Sequence, residues 1–470
     1  MPANLKLSAE VIGRAIDQTP VSRSMLFIVV VAAAGFFFDS FDITIVSYAL
    51  PAIRGEFHLD PKQVGLIGSS AVAGMAVGSW TWGWVADRWG RRLVFAATVL
   101  TFSLFTGVAG LAASLGFLIG ARFLTGLGLG GMVPIDAALV AEFAPARVRG
   151  QVSAALPLCW PIGIFAAAGA GLLIVPTIGW RWLFAVGVLP AVLAFIIRRR
   201  VPESPRWLAS QGRLEEARRS LDYVGVSDAA LERAERDVAA APAAPNTREP
   251  RFADLFTPAY ARRVVQTWSL WFLSNFAGFA FNIWLPTIYA TVYHIELTRT
   301  LLYTFIVAGT GVTARILAFF LVDRIGRKPL IVIGYMGAGC TALLFTQATT
   351  EASLLIVAVL YAFMADIGAL GMTVYTPEVY PLRIRGIGTA AAMGVGRLGG
   401  VVSPLLFGVL LSLGNVSIVW LLLASVQLAA ALLSLWLAYE TRGRNLELAS
   451  QVAVGQFPAS RQASSKVTAP

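Results

Sequence analysis

Charge is what this sequence has least of. Only 13% of its 470 residues are Asp, Glu, Lys or Arg, about half the ~25% usual in soluble chains. So little charge cannot cover the surface of a water-soluble protein of this length, and that class is excluded. Cysteine is nearly missing too: Cys159 and Cys340 both fall within apolar runs and offer no disulfide framework. The two histidines, His58 and His294, lie between apolar runs and read as incidental loop residues. Nothing has the spacing of a metal-ligand cluster or a catalytic triad. The run GLGLGG, Gly126–Gly131, sits inside an apolar stretch without a following Lys-Ser/Thr. Close helix packing explains it better than phosphate binding. From these absences no enzyme, no cofactor and no coupling to ATP hydrolysis are expected, which leaves an ion gradient as the expected driving force.

What the chain has instead is apolar length. Hydrophobic residues make up 57% and the mean hydropathy is +0.72. Apolar runs recur at the ~20 residues that cross a bilayer as a helix, without the alternation of a membrane barrel. Twelve spans are expected, at about 25–53, 62–86, 93–112, 115–141, 151–177, 181–201, 264–293, 299–322, 330–348, 352–376, 387–412 and 415–438. The fold class is therefore an all-α polytopic membrane protein. Of the 37 Lys and Arg, four (Arg54, Lys62, Arg181, Arg299) fall on one side and three (Arg122, Arg315, Arg397) within spans. The remaining thirty lie in the termini and the even-numbered loops, which places both termini in the cytoplasm. The net charge of +11 is thus a topology signal and does not point to nucleic acid. The first 24 residues lack a cleavage-type apolar core, so no signal peptide is expected.

Between the sixth and seventh spans the chain turns polar. LEEARRSL and LERAERDV read as short cytosolic helices and APAAPNTREP as a loop. The expected division is a cytosolic N-terminus (1–24), a six-helix half (25–201), a cytosolic loop (202–263), a second six-helix half (264–438) and a cytosolic tail (439–470). The Ser/Ala/Gln-rich part of that tail is expected to be disordered.

The first span carries the most unusual residues. Phe36–Pro51, FFFDSFDITIVSYALP, holds Asp39 and Asp42 in its apolar middle. Three residues apart on a helix, both point the same way. An ionised carboxylate in hydrocarbon costs at least ~2.5 kcal/mol, so the pair must face a protein interior or a watery cavity. A proton site that also senses a substrate is the functional reading; satisfaction by neighbouring hydroxyls or an Arg, for packing alone, is the plain one.

An internal repeat exposes the architecture. Asp87-Arg88-Trp89-Gly90-Arg91-Arg92 returns as Asp323-Arg324-Ile325-Gly326-Arg327-Lys328. The pattern E-x-x-P-x-R-x-R-G occurs at Glu142–Gly150 and again at Glu378–Gly386. Both pairs share a single offset (323 − 87 and 378 − 142). The chain therefore consists of two six-helix halves in parallel orientation. Gly90 and Gly326 permit tight turns, while Asp87 and Asp323 can pair with loop arginines or a helix N-terminus. Glu142 and Glu378 are expected within reach of Arg147/Arg149 and Arg383/Arg385, as ion pairs that form when the cytoplasmic side closes. The expected gating set is Asp87, Arg88, Gly90, Arg91, Glu142, Arg149, Asp323, Arg324, Gly326, Arg327, Glu378 and Arg385. The plain reading is that these arginines only set orientation.

With these motifs in view, the chain resembles the major facilitator superfamily over about residues 25–440. GWVADRWGRR is similar to the superfamily loop signature G-x-x-x-D-R-x-G-R-R; the second copy has Phe319 in place of the first Gly. RFLTGLGLGG, PESPRWL and YETRGRNLEL resemble sugar-porter-like branches. FFFDSFD followed by ALPAI, and TPEVYPLRIRG, resemble aromatic-acid/proton symporters and their nicotinate-type relatives. The resemblance implies a secondary transporter of a small organic acid, driven by protons without a cofactor, monomeric, in a bacterial inner membrane. A sugar or polyol symporter ranks second, because the seventh span lacks the Gln-rich set of sugar carriers. Drug export ranks third, because PLCWPIGIFAAAGAG keeps only fragments of the antiporter motif. A non-transporting sensor is the other class.

Three intramembrane arginines bear on the cargo. Arg122 and Arg397 need counter-charge, carbonyls or water, because a guanidinium keeps its proton in a protein. A substrate carboxylate can supply that counter-charge with two-pronged geometry. The plain readings are a pair between Arg122 and Asp39 or Asp42, and helix packing at GRLGG around Arg397. Arg315 is expected to snorkel in a structural role. Asp366 is a second candidate proton or substrate site, and Asp136 a gate or proton residue. Asn275, Asn282, Trp284 and Tyr375 are candidate cavity-lining residues.

Overall fold

The computed structural model describes residues 7–240 and 251–442. The expected loop at 241–250 and the Ser/Ala/Gln-rich tail lie outside the described residues. Among those described, the chain is helical throughout, and its helices make twelve crossings in two sets of six. Among the described residues, nine helical stretches are long and apolar enough to cross a membrane. The others are explained locally. The fourth crossing breaks into Leu115–Leu129 and Met132–Phe143 at Gly130 and Gly131. The seventh, Pro258–Thr291, carries Gln266, Ser274, Asn275 and Asn282, and the ninth, Arg327–Leu344, is short.

Helix ends follow local chemistry. The first span, Arg23–Phe57, starts at Ser22, whose hydroxyl accepts from the Met25 amide at 3.1 Å. It stops at His58, which adopts a left-handed conformation (φ 51°). The second span, Pro61–Trp89, opens with an Asp60/Gln63 capping box. His294, also left-handed (φ 53°), lies three residues past the end of the seventh helix at Thr291. It stands at the repeat offset from His58 (294 − 58), so the left-handed position after the first helix of each half belongs to the repeat, and of the two only His58 caps its helix. The seventh helix starts ahead of the expected 264, with Pro258 at its first position after Thr257, and Arg263 in its second turn is buried with its guanidinium over the Tyr260 ring at 5.4 Å.

Within each half, helices approach closely through small residues. A Cβ at Gly126 or Gly74 would overlap the Ala71 or Phe123 carbonyl of the facing helix, which binds the second span to the fourth. The halves meet through spans 1 and 7, 2 and 11, and 5 and 8. Here Ser69 donates to the Val401 carbonyl (2.7 Å), and Phe165 stacks on Phe305 with centroids 4.5 Å apart. Both contacts lie on the side away from the chain termini, called the far face below; the other is the terminal face.

A helix with no sequence counterpart, Ala9–Gln18, lies on the terminal face. Its apolar stripe, Val11, Ile12, Ala15 and Ile16, is buried and packs against Asp228–Ala240 of the central segment. The stripe was hidden in sequence because a ten-residue helix is only marginal without tertiary packing.

Candidate functional site

A cavity of about 430 Å³ lies between the halves. Its walls come from both, with Phe36 and Thr44 on span 1, Trp160 on span 5, and Trp271, Asn275, Phe281 and Asn282 on span 7. Toward the terminal face it is lined by Met372, Thr373 and Met393. Toward the far face the Ser69–Val401 and Phe165–Phe305 contacts close it. Its surface is mostly apolar and aromatic with a few convergent polar groups, the usual make-up of a small-molecule site.

Among the described wall residues the charged groups come from the second half: Arg315, Asp366 and Arg397. Arg315 Nε donates to Asp366 Oδ1 at 2.7 Å. Arg315 therefore does not snorkel; it reaches the cavity because its partner stands mid-span on the facing helix. Arg397 is half-buried on Arg385–Leu411, and no hydrogen bond to its guanidinium is found among the described residues. Its neighbours Gly396 and Gly399 pack against the seventh helix at Asn275 and the Phe272 carbonyl. GRLGG thus combines close packing with one cation turned into the cavity.

Asn275 and Asn282 line the cavity, each amide nitrogen donating to a carbonyl one turn earlier (Trp271 and Gly278, both 2.9 Å). Trp284 and Tyr375 do not. Trp284 is buried with its indole donating to the Pro404 carbonyl at 3.1 Å, and Tyr375 is buried against Gln266 (2.9 Å). Two residues beyond Asn282 is more than half a turn of helix, so Trp284 faces a neighbouring helix. The aromatic wall is made instead by Trp160, Trp271, Phe281, Tyr335 and Tyr361. Tyr361 lies against Phe281 with the rings tilted by 40° and centroids 4.4 Å apart, and it accepts from Gln427 at 2.9 Å.

The first half keeps its charges behind the wall. Asp42 and Arg122 are fully buried and paired at 3.3 Å; Arg122 also reaches the Asp42 carbonyl at 3.3 Å, and Thr106 donates its hydroxyl to Asp42. Asp39 is fully buried one turn away, and neither of its oxygens has a hydrogen-bond partner among the described residues. Arg397 of the other half is the cation whose field reaches it. Asp136 is equally buried and without a hydrogen-bond partner among the described residues; its carboxylate lies against Gly35, where a Cβ would stand 2.7 Å away. It is close enough to Asp39 for each to act on the other's charge.

On the terminal face the repeat becomes geometry. Arg91 pairs with Asp87 (3.3 Å) and Glu142 (3.4 Å); Arg327 pairs with Asp323 (2.9 Å) and Glu378 (3.0 Å). Glu142 and Glu378 therefore meet the arginine after the tight-turn glycine of their own half, not the arginines of the following loop. Helix direction decides this: the fourth and tenth helices end beside the starts of the third and ninth. Arg149 pairs instead with Asp17 of the N-terminal helix (3.0 Å), and Arg385 donates to the Tyr380 carbonyl (3.3 Å). Arg88 covers Trp84 at 4.0 Å, and Arg324 sits in the last turn of its helix.

Two residues without an expected role complete each loop. Glu203 accepts from the Arg91 and Arg92 amides (2.7 and 3.1 Å), and Glu440 accepts from the Arg327 and Lys328 amides (3.0 and 3.1 Å). Each is an anion at a helix N-terminus. Gly90 and Gly326, at φ 93° and 106°, leave the space that the carboxylates occupy. The signal was present in PESPR and YETRGR, but the spacing of the two acids (440 − 203) misses the repeat offset by one position.

Comparison with known proteins places these features in a wider set. The family described as "Sugar (and other) transporter" matches residues 27–453. The niacin transporter NiaP of Acinetobacter baylyi is 32% identical over 92% of this chain and 98% of its own length. The 4-hydroxybenzoate transporter PcaK of the same organism is 28% identical over 84% of this chain and 87% of its own. Among solved structures, the inward-open xylose transporter XylE from E. coli superposes with a TM-score of 0.73 at 22% identity, covering 91% of this chain and 99% of that one. That likeness carries the fold.

Proposed function

For this chain, which belongs to the sugar (and other) transporter family and is an integral membrane transporter rather than an enzyme, we propose proton-coupled uptake of a small aromatic or related carboxylic acid. The observation that carries this reading is Arg397, a half-buried guanidinium without a hydrogen-bond partner among the described residues, turned into an aromatic-lined cavity. A carboxylate gives such a group its counter-charge and both prongs of its fork. The niacin and 4-hydroxybenzoate transporters among its relatives support a single-ring acid.

Coupling then rests on Asp39. Asp42 already has Arg122, whereas Asp39 has only the field of Arg397. A proton on Asp39 releases the Arg397 charge to the incoming anion, so proton and acid bind together and each favours the other. The two halves rock about the cavity, and the far-face contacts belong to the state open to the terminal side. With both termini cytoplasmic in a bacterial inner membrane, that state faces inward and the protein works as a monomer.

A sugar or polyol remains the second reading, because Asn275, Asn282 and Gln427 could serve neutral hydroxyls. Proteoliposomes with an imposed pH gradient separate the two. Labelled nicotinate or benzoate should accumulate and resist competition by hexoses. Competition by free hexose, at concentrations where neither acid has an effect, overturns the organic-acid reading in favour of the sugar.

A further inference from the structure

We infer that Asp366 sets the charge number of the substrate: by holding Arg315 in an ion pair inside the cavity, it leaves Arg397 as the single cation without a hydrogen-bonded counter-charge among the described wall residues and, once Asp39 behind the wall holds its proton, restricts the site to monoanions. The inference rests on the organic-acid reading and adds the valence of the acid to it.

The pair is built into the wall. Arg315 on Leu297–Ile325 and Asp366 on Glu351–Val379 meet at 2.7 Å, with side chains 15% and 26% exposed, and both line the cavity. One turn before Arg315, Gly311 makes room for the acid; a Cβ there would lie 2.6 Å from Asp366 Oδ2. The carboxylate thus lies in a cradle formed by two positions of the eighth span. With Arg397 as the remaining charged residue of the described lining, that lining carries a net charge of +1 (two Arg less one Asp) when Asp39 behind it is protonated.

In a mostly apolar chamber charges must be matched in number as well as in place. A monocarboxylate brings the count to zero. A second carboxylate would be left against Arg315, whose Nε already donates to Asp366, and would repel that acid. The asparagine of Asp366→Asn keeps the shape and removes the negative charge, so the guanidinium of Arg315 is released and the count rises to +2. Arg315→Gln does the opposite: it brings the count to zero and exposes Asp366 to the incoming anion.

Trp160 and Trp271 in the wall make tryptophan fluorescence quenching of the purified full chain a direct readout of binding. Nicotinate, benzoate, benzene-1,3-dicarboxylate and nicotinamide serve as probes. The wild type should bind the monoacids at least about tenfold more tightly than the dicarboxylate. Asp366→Asn should move that ratio toward the dicarboxylate by at least about tenfold, and the double variant Arg315→Gln/Asp366→Asn, again at +1, should restore it. Arg315→Gln alone should narrow the preference for nicotinate over nicotinamide by a similar factor and tests the idea even if Asp366→Asn does not fold. An unchanged ratio in Asp366→Asn or in Arg315→Gln, or equal binding of mono- and dicarboxylate by the wild type, overturns the inference while leaving the organic-acid reading intact. A wild type that binds none of the three acids overturns both.

Discussion

The two halves agree on the terminal face and disagree inside the membrane. At the surface, Gly90, Arg91, Glu142 and Glu203 are matched by Gly326, Arg327, Glu378 and Glu440, contact for contact. Inside, the first half buries Asp39, Asp42, Arg122 and Asp136 away from the cavity, whereas the second half turns Arg315, Asp366 and Arg397 into its wall. At the repeat offset, the counterparts of Asp42 and Arg122 are Gly278 and Ala358, so the ion pair of one half has no copy in the other. Two halves that rock against each other need the same hinge chemistry at both loops. They do not need the same interior, because proton and substrate are different ligands. The proposed transporter divides the work accordingly, with protons on the first half and the acid on the second.

The largest expected effect tests that division. Asp39→Asn should abolish uphill accumulation of acid in proteoliposomes while exchange of internal for external acid persists, because exchange needs no net proton movement. Normal accumulation by this variant would make the acid structural and remove the proton role from the first half. The next effect should appear as affinity on the other half. Arg397→Gln should lose about 1.5–3 kcal/mol of binding for nicotinate or benzoate, roughly 10- to 150-fold. Arg397→Lys should be nearly as weak, since it keeps the charge and loses the planar fork. Equal loss of affinity for an acid and for its amide would show that Arg397 packs helices and does not read charge.

The smallest effect sharpens the symmetric side. Glu203→Gln and Glu440→Gln should each cost about 0.5–2 kcal/mol through the weakened cap on the third or ninth helix. The two should lower the thermal unfolding temperature by similar amounts. A loss confined to one of them would show that the loops share a pattern without sharing its energetics.

Much of this protein was legible in its sequence. Hydropathy implied helical crossings, because a backbone in lipid must satisfy its own hydrogen bonds. The shared offset of the two loop motifs implied two parallel halves, and lone charges in apolar runs marked Asp39, Asp42, Arg122, Asp366 and Arg397 as residues needing partners. Sequence determined which residues needed a partner; tertiary structure decided which partner each received. Asp42 rather than Asp39 took Arg122, and Arg315 took Asp366, because those contacts join residues 80 and 51 positions apart on different helices. The same holds for the cavity wall, where Asn282 faces inward and Trp284 does not: helix rotation is set by packing against neighbours, and in a chain apolar on every face no periodicity reveals it.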